Sequence, residues 1–276
     1  MDSESTQSTQ NEFLYVDGRR FHNVENVKYH LPNDENETDR LNSQHSMLRY
    51  LWQSNFSSPV DDILSKPGAR VLDIGYPLAK VIGLDISPYQ STTIKPKNFE
   101  FIKADVHERL PFDDNTFDFV FQRFLVFGLA VEKCQDIVNE LVRVLKPGGF
   151  LELSEPSNAI DAGPITKRLW DCEYEILKEQ GSDFDLCQKL DGYCRNQGQL
   201  ENIKKESKQC YYGAVYNNAE LSKAILNNLI ASYASLKPNL TKKLQLSDEE
   251  YDKLTKASEN EVVEFNTYFE IVRVYA

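Results

Sequence analysis

Three aspartates stand where a short apolar run gives way to polar residues. Asp73 lies in ARVLDIG, Asp85 lies in KVIGLDIS, and Asp105 follows FEFIKA. An ionised carboxylate offers two oxygen atoms as hydrogen-bond acceptors, so each side chain could bind a ligand that presents hydroxyl or amino groups. The alternative is that each is a solvated residue at the end of a strand and binds no ligand.

The elements that would position these aspartates form an alternating pattern. Apolar runs typical of buried parallel strands are separated by helical patterns, and the runs are ARVLDIG, KVIGLDIS, FEFIKAD, FDFVFQR and FLELSEP. This alternation predicts an α/β fold with a mostly parallel, twisted sheet and helices on both faces. Ligands bind such sheets outside the carboxyl ends of the strands, which makes the polar residues after each run the candidate site. Gln122 and Arg123, which follow the fourth run, belong to the same set.

Helical spacing appears on both sides of the strand pattern. Apolar residues from Cys134 to Leu145 repeat at i, i+3, i+4 and i+7, and Lys146-Pro147-Gly148-Gly149 should end that helix. Further helices are predicted from Pro164 to Gly181, near 184–197, over 219–236, and after a capping box of Ser247 and Glu250. Upstream, a helix capped by Asn33 should carry one buried stripe, formed by Leu41, His45, Leu48 and Trp52.

These patterns divide the chain into three parts. Residues 1–12 carry no hydrophobic pattern and are predicted to be a disordered tail. Residues 13–66 are predicted to form an N-terminal helical cap segment, and residues 67–276 the sheet domain. Within that domain the core motifs cover 68–156, and a helical insert and the last strands cover 157–276, ending in an antiparallel strand, TYFEIVRVYA.

Composition restricts the class of partner and the compartment. With 43 acidic and 31 basic side chains, the net charge of -12 argues against nucleic-acid binding, which depends on Lys and Arg. The five cysteines form no CxxC pair, which predicts neither a zinc site nor a disulfide framework and indicates a reducing, intracellular compartment. We find no signal-peptide pattern and no membrane-length apolar run, so a cytoplasmic or nuclear location is expected.

Several segments resemble a known family when they are read together. GARVLDIG, AKVIGLDISP, FIKADVHERLPFDDNTFDFVFQR and ELVRVLKPGGFLELSEP, with DGRRFHNVENVKYHLPNDENETDRLNSQH upstream, resemble class I S-adenosylmethionine-dependent methyltransferases of the fungal LaeA-like, UMTA-related group. The resemblance implies a Rossmann-like fold, S-adenosyl-L-methionine as cofactor, and methyl transfer to an acceptor, either a small molecule or a protein, that the sequence does not identify.

The resemblance also implies roles for individual residues. Asp85, with Ile86 beside it, matches the position that accepts the ribose hydroxyls of the cofactor. Asp105, with the backbone of Val106 beside it, matches the acceptor of the adenine amino group. Further matches are Asp73 and Gly75 at the start of the glycine-rich motif, Gln122 and Arg123 at the methionine and acceptor pocket, and Tyr29, Arg40, Gln44 and His45 on a cofactor lid. No metal ligand or catalytic residue is indicated. A purely structural role is equally open for Asp73 and Arg123, and for His45, which lies on an apolar stripe, the structural role of a core histidine is favoured.

The chain departs from the family directly after Gly75. The family continues there with further glycines and a helix, whereas here Tyr76-Pro77-Leu78-Ala79-Lys80 leads straight into the second strand. Adjacent parallel strands are usually joined by a dozen or more residues. We therefore expect the first βαβ crossover to be truncated. Either ARVLDIG and KVIGLDIS are not parallel neighbours, or ARVLDIG pairs differently, or the upstream helix and strand are displaced.

The short connection leaves several functions open. The first hypothesis is a methyltransferase impaired by loss of the loop whose backbone N–H groups hold the cofactor's methionine part. The alternative is a non-catalytic paralogue, an isoform or an incomplete gene model that acts as an interaction protein. A nicotinamide-dependent dehydrogenase is disfavoured because no GxGxxG sequence is present to bind pyrophosphate.

Overall fold

The strands form a hairpin and one large sheet. The structure is a computed structural model that describes residues 13–23, 29–74, 81–86, 99–216 and 218–276. The strands are β1 (Phe13–Val16), β2 (Arg19–His22), β3 (Val71–Ile74), β4 (Val81–Asp85), β5 (Phe99–Lys103), β6 (Phe117–Arg123), β7 (Leu145–Pro156), β8 (Lys204–Tyr211) and β9 (Tyr268–Tyr275). β1 and β2 pair with each other, and the other seven follow the order β5-β4-β3-β6-β7-β9-β8.

The seven-stranded sheet is mostly parallel. β5 with β4, β4 with β3, β3 with β6, and β6 with β7 all pair in parallel, whereas β9 pairs antiparallel with β7. The five predicted strands and the antiparallel terminal strand are thereby confirmed. The sheet has the Rossmann-like architecture that the sequence predicts.

The pairing of β3 with β4 contradicts one expectation. The two strands are parallel neighbours in regular register, with Val71 opposite Val81 and Ile74 opposite Leu84. The expectation that the connection is too short for this pairing was wrong because β3 is only four residues long. Retracing it requires roughly 10 Å, at about 3.3 Å per residue, whereas an extended chain from position 74 to position 81 reaches about 23 Å. The connecting residues 75–80, which include Gly75, lie outside the described residues.

In the part of the chain that the structure describes, seven α-helices accompany the strands, and two of them pack against the large sheet. The helices are α1 (Glu35–Trp52), α2 (Asp61–Leu64), α3 (Cys134–Val144), α4 (Pro164–Glu179), α5 (Leu186–Gln197), α6 (Ala219–Leu244) and α7 (Asp248–Glu264). α3 ends at Val144, close to the predicted stop at Lys146-Pro147-Gly148-Gly149, which lies at the start of β7, and both α3 and α5 pack against β7. Phe56 and Val60, which precede α2, pack against Phe119 and Phe121 of β6.

The chain divides into two compact units. One unit holds most of the large sheet and comprises Trp52–Asn158, Gly181–Gln209 and Phe269–Ala276. The other comprises the residues up to Leu51 together with Ala159–Gln180 and Cys210–Tyr268, and is mainly helical. The predicted tail, 1–12, lies outside the described residues.

The helical unit confirms some local predictions and corrects others. Ser247 and Glu250 form the predicted capping box at the start of α7. At the start of α1, the side chain of Asp34, not that of Asn33, accepts the backbone N–H of Glu37 at 3.0 Å. Leu41 is exposed, although the apolar spacing predicts that it is buried. The reason is that buried polar residues of α1, Glu37 and Arg40, occupy part of the inward face.

Among the helices that the structure describes, none has the length and hydropathy needed to cross a membrane.

Candidate functional site

The predicted site residues follow adjacent strands along one edge of the sheet. Because β5, β4, β3, β6 and β7 are parallel, their carboxyl ends lie side by side. Asp85 of β4 is opposite Lys103 of β5, so Asp105, two residues after Lys103, follows the end of β5 next to Asp85. Asp73 of β3 is opposite Phe121 of β6, the residue before Gln122. The order along this carboxyl edge is therefore Asp105, Asp85, Asp73, and then Gln122 with Arg123.

At the β5 end of the carboxyl edge, Asp105 is held by a histidine two residues away. Asp105 Oδ1 accepts the backbone N–H of His107 at 2.9 Å and lies 2.8 Å from His107 Nδ1. His107 Nε2 accepts the backbone N–H of Ala130 at 3.2 Å. Nε2 must therefore be unprotonated, which places the ring proton on Nδ1, where it can be donated to Asp105. These contacts use Oδ1 and leave Oδ2 with no hydrogen bond to the part of the chain that the structure describes.

Asp85, Ile86 beside it, and Val106 beside Asp105 are accessible to a ligand. Asp85 is exposed at the end of β4, and Ile86 and Val106 are half-buried. An exposed carboxylate can serve as an acceptor for the hydroxyl groups of a ligand.

Asp73 and Arg123 lie deeper in the protein. Asp73 is buried on β3. Burial lowers the pKa of the Arg123 guanidinium from its ordinary value, and the negative charge of Asp73 opposes this effect. The guanidinium also lies 5.8 Å from the centroid of the Phe121 ring. These contacts make Arg123 a partly buried residue of the sheet edge, not a freely solvated surface charge.

Gln122 contacts a buried glutamate, Glu155, which no sequence motif marks as a site residue. Glu155, at the end of β7, is fully buried and accepts the backbone N–H groups of Leu125 at 3.0 Å and Val126 at 3.1 Å. Gln122 Nε2 donates to Glu155 Oε1 at 3.3 Å, while Gln122 Oε1 is buried without a hydrogen-bond partner among the described residues. Burial raises the pKa of Glu155 to about 7. The sequence signal for this residue is an acidic side chain at the end of the apolar run FLELSEP.

The upstream residues assigned to a lid belong to the helical unit. There Arg40 Nε donates to both carboxylate oxygens of Glu37 at 3.0 Å, and Arg40 Nη1 donates to Asn228 Oδ1 at 3.2 Å. Ser235 Oγ donates to Glu37 at 2.6 Å. Arg40 is therefore part of a hydrogen-bonded network that joins α1 to α6.

The described residues hold no cluster of three or more His, Cys, Asp or Glu side chains that could bind a metal ion. All five cysteines are buried, and none forms a disulfide. Burial raises the pKa of Cys134, Cys187 and Cys194 to about 12, so these thiols stay protonated and unreactive near neutral pH.

A mostly parallel sheet with carboxylate and amide side chains along its carboxyl edge defines a Rossmann-like α/β protein, a fold in which ligands generally bind at that edge. Residues 66–153 match the family model described as a methyltransferase domain.

Three fungal proteins are similar to the chain over about half of its length. The N-methyltransferase verN of Clonostachys rogersoniana is 29% identical, over 48% of this chain and 52% of that protein. The methyltransferase pytC of Aspergillus terreus is 31% identical, over 56% of this chain and 50% of that protein. The secondary metabolism regulator laeA of Coprinopsis cinerea is 29% identical, over 50% and 38% respectively. The chain thus spans about half the length of the first two of these relatives and less of the third.

Residues 66–153 are therefore similar to the methyltransferase domain of the class I S-adenosylmethionine-dependent enzymes. The cofactor of this class is S-adenosyl-L-methionine.

The residues at the carboxyl edge fit parts of that cofactor. The carboxylates of Asp85 and Asp105 can accept hydrogen bonds from hydroxyl and amino groups of an adenosine. The buried, unpartnered oxygen of Gln122 requires a hydrogen-bond donor, and the ammonium group of the cofactor's amino-acid part is such a donor. Gly75, predicted to contact the same part, lies outside the described residues.

Proposed function

We propose that the chain is a methyltransferase that binds S-adenosyl-L-methionine along the carboxyl edge of its sheet. Asp85 accepts the ribose hydroxyls, with Ile86 beside it, and Asp105 with Val106 binds the adenine. Asp73, Gln122 and Arg123 line the methionine end. The observation that carries this proposal is the strand register, which sets these residues in one row in the order that an extended ligand requires.

The bound cofactor supplies a methyl group that its sulfonium centre already activates, so the chain's own contribution is mainly to position it. Accurate orientation of two reactants can account for a large part of a rate enhancement, on the order of 7–11 kcal/mol in well-aligned cases. Asp85 and Asp105 fix the ligand at one end, whereas the buried residues of β3 and β6 fix it near the reacting centre. No residue is assigned as a catalytic acid or base.

We favour a small molecule as the methyl acceptor over a protein. One relative is named as an N-methyltransferase, and neither it nor the pytC protein is named as acting on a macromolecule. The net charge of -12 disfavours nucleic acid as a partner. Five buried cysteines, none of them in a disulfide, support a reducing intracellular location, either cytoplasmic or nuclear.

The proposal is tested by calorimetric titration with S-adenosyl-L-methionine and its demethylated product, S-adenosylhomocysteine. We expect saturable binding that Asp85→Ala weakens by at least about tenfold, because the carboxylate makes charge-assisted hydrogen bonds to the ribose. Asp62→Asn is the matched control, since Asp62 is an exposed aspartate on α2, away from the carboxyl edge.

Absence of binding to the wild-type chain, checked by a thermal-shift series up to millimolar ligand, would reject the proposal. That result would favour the alternative hypothesis, that the chain is a non-catalytic interaction protein. A methyl-transfer assay against a panel of small amines and phenols then identifies the acceptor class.

A further inference from the structure

The segment that follows β6 is held in an unusual conformation by the end of β7. Phe124 has a φ of 54°, in the left-handed region that a bulky non-glycine residue rarely adopts. Its backbone N–H donates to the carbonyl oxygen of Ser154 at 2.9 Å. The next two backbone N–H groups, of Leu125 and Val126, donate to the two carboxylate oxygens of Glu155. Three consecutive N–H groups therefore bind the end of β7 and stabilise a kink that would otherwise be unfavourable.

The same carboxylate sets the orientation of the Gln122 amide. An ionised carboxylate only accepts hydrogen bonds, so the amide group must present its NH₂ to Glu155 and its oxygen to the opposite side. That oxygen is on a side chain that is 3% exposed, and it has no partner among the described residues. A buried acceptor without a donor is unfavourable, which favours a ligand that supplies one.

The position of this oxygen indicates which part of the ligand supplies the donor. Asp105 and Asp85 follow β5 and β4, so a ligand whose adenosine they hold continues across β3 towards β6. Gln122 is opposite Ile74, the last residue of β3. The amino-acid part of the cofactor, with its ammonium group, lies on this path.

We propose that Glu155 is a positioning residue for the amino-acid end of the cofactor. Its carboxylate holds the kinked segment and turns the Gln122 amide oxygen towards the ligand, where it accepts a hydrogen bond from the ammonium group. Glu155 itself does not contact the cofactor. This inference rests on the proposed function and adds a residue that sequence motifs do not assign.

Two ligands that differ only at this end test the inference. S-adenosylhomocysteine carries the amino-acid part, whereas 5′-methylthioadenosine has the adenosine and the thioether but no ammonium group. At about pH 8, where the Glu155 carboxylate is mostly ionised, we expect Glu155→Gln to weaken binding of S-adenosylhomocysteine by about tenfold and binding of 5′-methylthioadenosine by less than about twofold. A purely structural role would weaken both ligands alike.

Two further variants keep the test interpretable. Glu152→Gln is the matched control because Glu152 is a second fully buried glutamate of β7 that binds backbone N–H groups, those of Ser57 and Ser58. It should leave the ratio of the two affinities unchanged. Gln122→Met removes the amide and leaves Glu155 with its backbone donors, and it should reproduce the selective loss even if Glu155→Gln folds poorly.

Each outcome has a separate meaning. If the wild-type chain binds neither ligand, the proposed function itself fails. If the wild type binds both and the Gln122 and Glu155 variants lose both equally, or lose neither, then the positioning role of Glu155 is wrong while the proposed function stands.

Discussion

The two halves of the carboxyl edge are held in place in different ways. On the adenosine side, which we define as Asp85, Asp105 and His107, the side chains are exposed or half-buried, and Asp105 is held by a residue two positions away. On the amino-acid side, defined as Asp73, Gln122, Arg123 and Glu155, burial is deep, and Glu155 binds donors about 30 residues away in sequence. The first is a local motif, whereas the second depends on the packing of the sheet.

The largest expected difference between the two sides is in stability. Glu155→Ala leaves the N–H groups of Leu125 and Val126 and the amide of Gln122 without an acceptor, and should lower the free energy of unfolding by about 3 kcal/mol. Asp105→Ala should lower it by less than about 1 kcal/mol, because water replaces the lost partner of a half-exposed group. Urea denaturation of both variants measures the contrast. Equal losses would show that the two sides are not held differently.

A smaller effect is expected in the pH dependence of stability. Burial raises the pKa of Glu155 to about 7 from an ordinary value of 4.5. Between these values the carboxyl ionises in the unfolded chain but stays protonated in the folded chain, so the stability present below pH 4.5 is lost as the pH rises towards 7. Between about pH 5 and 8, the wild type should lose on the order of 2 kcal/mol relative to Glu155→Gln.

Denaturation curves of the two proteins, measured in parallel across this range, check the prediction. Glu173, whose pKa burial also raises to about 7, is common to both proteins and cancels in the difference. Parallel curves would mean that Glu155 ionises as readily in the folded chain as in the unfolded chain.

The smallest expected effect is that of His107→Ala on the adenosine side. The substitution removes the proton donor to Asp105 Oδ1 and the acceptor of the Ala130 N–H. Binding of S-adenosylhomocysteine and of 5′-methylthioadenosine should weaken together, by about threefold to tenfold, since both ligands carry the adenine. Calorimetric titration with both ligands measures this. If only the binding of S-adenosylhomocysteine weakened, His107 would act on the amino-acid side, and the division of the carboxyl edge into two sides would be wrong.

The sequence predicts the framework of this molecule well because the signals are local. Each of the five parallel strands is a short apolar run, and the end of α3 is marked by Lys-Pro-Gly-Gly. Asp73, Asp85 and Asp105 are visible because each terminates such a run. Their meeting at one edge follows from parallel pairing, although the short connection after Gly75 led us to expect a different pairing of β3 with β4.

Residues whose role depends on distant partners could not be predicted. Glu155 also ends an apolar run, but only the folded sheet shows that it accepts the N–H groups of Leu125 and Val126. The burial of Glu37 and Arg40 on α1 could not be predicted either, because the spacing of apolar residues does not indicate a buried ion pair. The β1–β2 hairpin was also not predicted, because residues 13–66 were expected to form a helical segment and β2, RRFH, carries no apolar run.

The pairing of β3 with β4 has a practical consequence for building variants of this protein. Four residue pairs fix the relative position of the two strands, so their alignment does not depend on what joins them. Lengthening a loop between two fixed ends adds only about 0.6 kcal/mol for each doubling. We therefore expect the β3–β4 pairing to survive the insertion of a longer segment, such as a glycine-rich loop and a helix, between the two strands.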